Sequence, residues 1–433
     1  MVDRVNRPLP RAYWRLVAAH GISNIGDGVF LVALPLLAAR LTRDPVAISL
    51  IAMAQVLPWL IVSLPAGAII DRSDRRRVMI IANVVRAGAL GVLCAAIVAD
   101  VAAVWMLWVL AIVVGTAEVF YDHSAAGLLP DLVPTEQLER ANGRLWSVEY
   151  ASNTFIGTPI GSLLFTTAAV LPFGVDGISF IVAALLILTI RGSFRHASAT
   201  PTGPSSLTAE VREGLRWLWA HQLLRAMALS LALTNLAFQI PTAVFVLFAQ
   251  DVLGIGERTY GLLFAVMGVG SVLGGLIGDR VVARLGKAGT IYVALGVWVL
   301  TLLAVGIYPS TWFVAIVLAI ESFVVTVWNV VSGTLRQQAV PAHLFGRVSS
   351  ASRWIAWGTL PIGSIIGGQI AARVGFRANY FVAAAVMVAA LIVASTQVSR
   401  ANIDRAIADN REPTPSADPT PTSLPRPDDH LLE

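Results

Sequence analysis

Charge is what this chain lacks. Only 13% of its residues are Asp, Glu, Lys or Arg, while 56% are hydrophobic, and the mean hydropathy is +0.74. A soluble domain carries about 25% charge, so a water-soluble globule of 433 residues would lack the polar surface to cover itself. That excludes a soluble enzyme, a disordered protein and a secreted disulfide scaffold. Cysteine is nearly absent too: Cys94 stands alone, so no internal disulfide and no cysteine-pair metal site can form. Lys287 is the only lysine. The Gly286-Lys287 pair has neither the upstream glycine nor the following Ser/Thr of a Walker A loop, which removes direct ATP use. No His-Glu-x-x-His and no Gly-x-Ser-x-Gly occurs, so a hydrolase has no metal site or nucleophile. No cofactor and no metal are expected. The formal charge of +5 does not indicate nucleic acid, because the arginines are scattered between apolar stretches.

What the chain has is long apolar runs. A membrane span needs about 20 mainly apolar residues. Twelve such runs lie near 14–39, 46–70, 78–99, 103–127, 144–168, 171–191, 223–249, 259–282, 288–308, 312–334, 347–372 and 378–398. The first carries Asp27 and is followed by no small-residue cleavage site, so it reads as span one and not as a signal peptide. The expected class is therefore all-α, a polytopic protein whose main partner is the lipid bilayer. With the N-terminus inside, 24 of the 31 cations fall on the inner side and 5 on the outer, which places both termini in the cytoplasm.

Two pieces lie outside the spans. Between residues 192 and 222 a Pro/Ser/Thr-rich stretch leads into Leu207–Trp219, where Leu207, Val211, Leu215 and Leu218 recur at helical spacing. That predicts an amphipathic helix on the inner membrane surface. Residues 399–433 are rich in Pro, Asp, Ser and Thr and read as a disordered tail. The expected domains are a six-helix bundle over 1–191, the linker 192–222, a second six-helix bundle over 223–398, and the tail.

The two bundles repeat one another. Gly67…Asp71-Arg72 reappears as Gly275…Asp279-Arg280, Val133-Pro134 as Val340-Pro341, Gly143-Arg144 as Gly346-Arg347, and Pro159-Ile-Gly-Ser162 as Pro361-Ile-Gly-Ser364. All four matches keep their order and their side. Six spans per unit preserve direction, so the repeats are parallel and a substrate path is expected between them.

Ionisable groups inside spans are costly and mark candidate functional sites. The acids are Asp27, about 13 residues or roughly 20 Å into span one, Glu321 in span ten, Glu118 and Asp122 one turn apart in span four, and Glu149 near the inner end of span five. The bases are Arg86 and Arg353. A proton and cation pathway explains such a set, because an acid in a low-dielectric site exchanges its proton as its surroundings change. A structural ion pair, such as Glu118 or Asp122 with Arg86, is the plainer explanation. His20 and His123 fit packing roles or proton transfer. Gly157/Gly161, Gly270/Gly274 and Gly363/Gly367 allow close helix approach. Pro159 and Pro361 are expected to kink their helices. Trp59, Phe120, Trp146, Phe238, Trp328 and Trp357 are candidates to line an apolar cavity.

The loop Gly67…Asp71-Arg72…Arg75-Arg76 resembles the signature of the major facilitator superfamily. Gly26-Asp27 with Ala33–Leu37, Leu129–Pro134 with Ala141-Asn142, Glu210–Trp219, and Gly346-Arg347 with Ser350 resemble its branch of macrolide-efflux proteins, multidrug exporters and the enterobactin exporter. Gly157-Thr-Pro-Ile-Gly161-Ser162 departs from the Gly-Pro-x-x-Gly-Gly exporter motif of that branch. The resemblance implies the major facilitator fold and a latch: Asp71 facing the start of span eleven near Gly346 and Arg347, and Arg75 pairing with Asp131, with Gly275, Asp279 and Arg280 as the repeat of the motif. It implies secondary efflux of small amphiphilic molecules against protons, by a monomer. A dedicated siderophore or lipid exporter of the same fold, and a non-transporting membrane sensor or assembly protein, are the alternatives.

Overall fold

The computed structural model describes residues 8–192, 194, 204–341 and 344–411. Arg4, Arg7, the linker stretch 195–203 and the tail from 412 lie outside the described residues. Among those described, all regular structure is helical. The N-terminal half runs α1 (Arg11–Leu41), α2 (Pro45–Ile61), α3 (Ser63–Asp71), α4 (Arg75–Val98), α5 (Val104–Leu132), α6 (Leu138–Tyr150), a π-helical turn (Ala151–Gly157), α7 (Thr158–Thr167) and α8 (Leu171–Leu188). After the linker helix α9 (Pro204–Ala220) come α10 (Gln222–Thr242), α11 (Glu257–Ile307), α12 (Thr311–Ala339), α13 (Phe345–Arg373), α14 (Phe376–Gln397) and α15 (Arg400–Arg411).

Nine of the described helices are long and apolar enough to cross a membrane, or ten if α2 and the piece Pro65–Asp71, bent by 53°, form one span. Twelve spans were expected, and the difference lies in broken helices. The 51 residues of α11 would run about 77 Å at 1.5 Å per residue, more than twice a bilayer core. Its helix breaks at Gly286, with φ 70° and ψ 169°, and the arms 257–285 and 287–307 stand where spans eight and nine were placed. That backbone region is essentially reserved for glycine and costs other residues about 1–3 kcal/mol. Gly286→Ala is therefore expected to lower the thermal midpoint, whereas Gly289→Ala, in ordinary helix, should be neutral or stabilising. Equal melting of the two variants would contradict this role for Gly286.

Span five is broken differently. Pro159 has no N–H to donate back to Phe155, and the helix relaxes into the π turn just before it. Pro159 thus follows the π turn directly, in the first turn of α7. Pro361 lies inside the uninterrupted α13. Helix starts follow ordinary capping: Asp44 accepts from Val46 N–H ahead of α2 and Asp74 from Arg76 and Arg77 N–H ahead of α4, each satisfying first-turn donors.

In the N-terminal half α1 packs on α7, α8 and the π turn, and α4 on α5 and α8; in the C-terminal half α10 packs on α13 and α14, and α11 on α12 and α14. The halves meet through α2 with α13 and α7 with α11, pairs that the repeat relates. The linker helix also differs from expectation. Gly214 fits against the Arg347 backbone, Glu213 accepts from Arg347 Nη1 at 2.9 Å, and Leu218 is buried. It docks on α13 through this face, while Leu215 and Trp219 remain exposed. The tail likewise begins with order: α15 buries Ile403 and Ala406, and Asn410 donates to the Gln338 carbonyl at 2.9 Å. Those two apolar residues, one turn apart, give it a packing face.

Candidate functional site

The side of the bundle that carries the start of α1, the α3–α4 loop and the start of α13 is called the terminus side below. On the far side the halves are tightly joined. Gly261 N–H donates to Ser162 Oγ at 2.6 Å, and a methyl group on Gly261 would strike the Thr158 carbonyl. Gly368 sits equally close to Ser49. Arg40, stacked 4.3 Å from the Phe165 ring, binds Glu257 with two N–H groups, one at 2.7 Å. Arg43 donates to Gln250 at 2.7 Å. Contact continues inward to an edge-to-face pair of Trp59 and Trp357, 5.4 Å between centroids.

On the terminus side the halves part. A Cβ added at Gly67, Gly275, Gly143 or Gly346 meets nothing within 4 Å. Of these glycines, Gly67 and Gly275 belong to the latch motif and its repeat, and Gly346 marks the start of span eleven that Asp71 was expected to face. Asp71, Arg72, Asp279 and Arg280 are exposed, and their side chains make no hydrogen bond or ion pair among the described residues. Asp71 does not reach the start of α13, where Arg347 is held by Glu213 instead. Arg75 and Asp131 do meet, at 3.2 Å, and Arg75 also donates to the Gly127 carbonyl at 2.7 Å. Arg76 donates to the Leu188 carbonyl at 2.6 Å. Both arginines tie helices within the N-terminal half, so this part of the motif is assembled while the junction between halves is open.

Between the halves lies a cavity of about 330 Å³. Leu31, Pro35, Ile51 and Val56 wall it from α1 and α2, and Phe238, Phe245, Phe264 and Met267 from the other half. Its polar groups are Gln55, Gln239, Thr242, Tyr260, Tyr380 and the carboxylate of Glu321. Glu321 is buried, and the Trp298 indole N–H donates to Oε1 at 2.7 Å, fixing the carboxylate. Of the six aromatic residues expected at such a cavity, Phe238 lines it. Trp146 faces outward, Trp328 is buried elsewhere, and Phe120 packs with Ala66 and Ile70.

The remaining acids gather in the N-terminal half, apart from that cavity. Arg86 is 1% exposed. Its guanidinium stacks 4.2 Å from Phe180 and 4.7 Å from Tyr121, donates to Asn83 at 2.7 Å, and lies 3.6 Å from Asp27. Its ion-pair partner is therefore Asp27, not Glu118 or Asp122 as the plainer reading had it. Helical spacing explains the arrangement: His20, Ser23, Asn24 and Asp27 share one face of α1. On that face Ser23 donates to Asp27 at 3.5 Å, and His20 Nε2 lies 3.1 Å from Glu149. Glu118 and Asp122 are half-buried and within electrostatic reach of Asp27, Arg86 and Glu149. His123 is held by Ser63 and the Val119 carbonyl. Arg353 is exposed.

One acid of this cluster was missed in the sequence. Asp176 of α8 is fully buried, accepts from Ser179, and leaves Oδ2 without a partner. Gly26 is the residue whose missing side chain makes room for it. The signal was an aspartate six residues into α8, inside a span whose apolar run was read without it.

Residues 7–420 match the transmembrane secretion effector family of the major facilitator superfamily. The chain belongs to that family. Among its relatives, the multidrug efflux pump Tap of Mycolicibacterium fortuitum is 26% identical over 371 residues, 82% of this chain and 88% of Tap. Macrolide efflux protein A of Streptococcus pyogenes is 23% identical over 392 residues, 88% and 94% of the two chains. A bacterial homologue of the iron transporter ferroportin in an inward-facing state shares the fold at a TM-score of 0.71 and 19% identity, covering 90% of this chain and 99% of its own. A bacterial homologue of the lysosomal transporter Spinster, inward-facing and occupied, does so at 0.71 and 13%, covering 93% and 98%. The chain is thus a multi-pass membrane transporter of the major facilitator fold, and not an enzyme.

Proposed function

We propose that this transporter exports small amphiphilic, preferably cationic, molecules from the cytoplasm in exchange for protons. The observation that carries this reading is the cavity between the halves: apolar-walled, of drug-like size at about 330 Å³, and holding one carboxylate, Glu321. Sites for small ligands run to about 300–1,000 Å³ and combine apolar walls with a few placed polar groups. Glu321 supplies the charge that selects a cation. The second acid cluster, Asp27 with Arg86, Glu118, Asp122, Glu149 and Asp176, supplies groups that exchange protons as the surroundings change. The names of Tap and macrolide efflux protein A support export of antibiotics and other drugs.

Mechanism follows from the geometry. The arginine distribution assigns the terminus side to the cytoplasm. In this scheme the arrangement with the far side joined by Arg40–Glu257 and the terminus side parted is the one that faces the cytoplasm. Engaging Asp71 with the start of α13 while releasing Arg40–Glu257 gives the opposite arrangement, and a ligand that favours one of them shifts the population. The transporter works as a monomer in this scheme, because both sites are complete within one chain.

The test is transport in liposomes across a broad panel of drugs. Wild type is expected to move cationic amphiphiles only while a pH gradient is maintained. Asp27→Asn should abolish that coupling. Glu321→Gln should weaken binding of cations by about 30-fold or more, because losing one partner of a desolvated charge pair costs about 2–5 kcal/mol, while neutral substrates are spared. Transport that persists after an ionophore collapses the gradient would exclude proton coupling. A profile confined to one siderophore or lipid would exclude the multidrug reading.

A further inference from the structure

At the terminus side of the C-terminal half, a set of buried donors lacks an acceptor. Trp328, Ser332 and Arg336 recur at four-residue spacing on one face of α12. With Ser352 of α13, they face a pocket of about 10 Å³ that Leu218 of the linker helix closes. Trp328 is 3% exposed and Ser332 6%, and neither the indole N–H nor the hydroxyl has a partner. Arg336 is half-buried and makes no side-chain hydrogen bond or ion pair among the described residues. The charged group that acts on it is Arg353 of α13, a second cation.

The position of Arg336 in the last turn of α12, where the helix dipole favours a cation, explains that arginine on its own. It explains neither the orphaned indole nor the second arginine. A buried donor left unpaired costs about 1–3 kcal/mol. Indole and guanidinium are donors only, and no acid among the described residues lines the pocket. What is missing is an acceptor with negative charge. The volume sets its size: about 10–15 Å³ of such space holds one water-sized particle, which is too small for a phosphate group. The pocket also borders the first two turns of α13, at the positive end of its dipole.

We propose that this pocket binds a single halide ion, chloride being the physiological choice, held by Arg336, the Trp328 N–H and the Ser332 hydroxyl. The ion joins α12 to α13 beneath the linker helix and balances Arg336 and Arg353.

The purified full chain in detergent tests this. Replacing gluconate by chloride or bromide at constant ionic strength is expected to raise the thermal midpoint of the wild type along a saturable curve, and Arg336→Gln should weaken that response at least tenfold. Bromide should also quench tryptophan emission with a saturable component that Trp328→Phe removes. Should Arg336→Gln fail to fold, Ser332→Ala, which keeps both charges, should shift the quenching curve to higher bromide. A midpoint indifferent to halide, purely linear quenching as expected of a water-filled pocket, or a full response in Arg336→Gln would each overturn the proposal.

Discussion

Replacing Arg86 with leucine is expected to cost about 3–5 kcal/mol of stability, the usual penalty for removing one partner of a buried ion pair. Arg86 is the cation at the centre of the acid cluster, enclosed by Tyr121 and Phe180. Without it, Asp27 loses the guanidinium 3.6 Å away, Asn83 loses its donor, and fully buried Asp176 loses a cation within electrostatic reach. The measurement is thermal unfolding in detergent, together with the yield of monodisperse protein. Adding Asp27→Asn to Arg86→Leu should recover a large part of the loss, because the uncompensated acid is then gone. Leucine tolerated at position 86 without a fall in midpoint would show that the charge pair carries no structural weight. This prediction is separate from transport: Asp27→Asn alone keeps Arg86 between its aromatic neighbours and tests coupling, whereas Arg86→Leu tests the frame.

The second large effect is expected where the halves touch on the far side. At Gly261 an added methyl group runs into the Thr158 carbonyl, and at Gly368 into Ser49. The first obstacle is backbone and cannot swing aside. Overpacking of this kind costs about 1–3 kcal/mol, and here it falls only on the arrangement in which α7 meets α11 and α2 meets α13. The double variant Gly261→Ala/Gly368→Ala should therefore move the balance towards the arrangement closed on the terminus side, by about 5- to 150-fold per 1–3 kcal/mol. Spin labels on Arg77→Cys and Arg284→Cys, both exposed on the terminus side, in a Cys94→Ala background, should report a shorter distance in the double variant. Glu257→Gln, which removes the charge bound by Arg40, should act in the same direction. Unchanged distances in both variants would show that far-side contact does not set the conformation.

Parts of the site were legible from local signals. Arg75 finds Asp131 because each lies at the end of its helix, on the side that the positive residues mark. Glu321 is conspicuous as a lone charge nine residues into an apolar run. Asp27 is conspicuous in the same way. The paired glycines of span five (the π turn and α7), α11 and α13 were legible as close-approach positions, and they line the helix contacts. Other parts were not. That Arg86 meets Asp27, and not Glu118 or Asp122, depends on how α1, α4 and α5 are rotated about their axes, which spacing along one helix does not specify. Asp176 carries no such signal, because the residues that make room for it and offset its charge, Gly26 and Arg86, lie on α1 and α4. The linker helix has an apolar face in the sequence, but only the placement of Arg347 and Gly214 shows that this face meets α13.

By itself, the sequence determined the solvent and the symmetry of this protein. Low charge places the chain in lipid, the arginines mark one side, and the repeated motifs fold it into two like halves. These are sums and periodicities along the chain, and they survive without coordinates. The tertiary structure alone decided which acids share Arg86, that Glu321 is the one carboxylate among the described residues at the cavity between the halves, and which end of the bundle is closed. Those properties belong to pairs of residues far apart in the chain, and a difference of a few kcal/mol in helix packing separates one arrangement from the other.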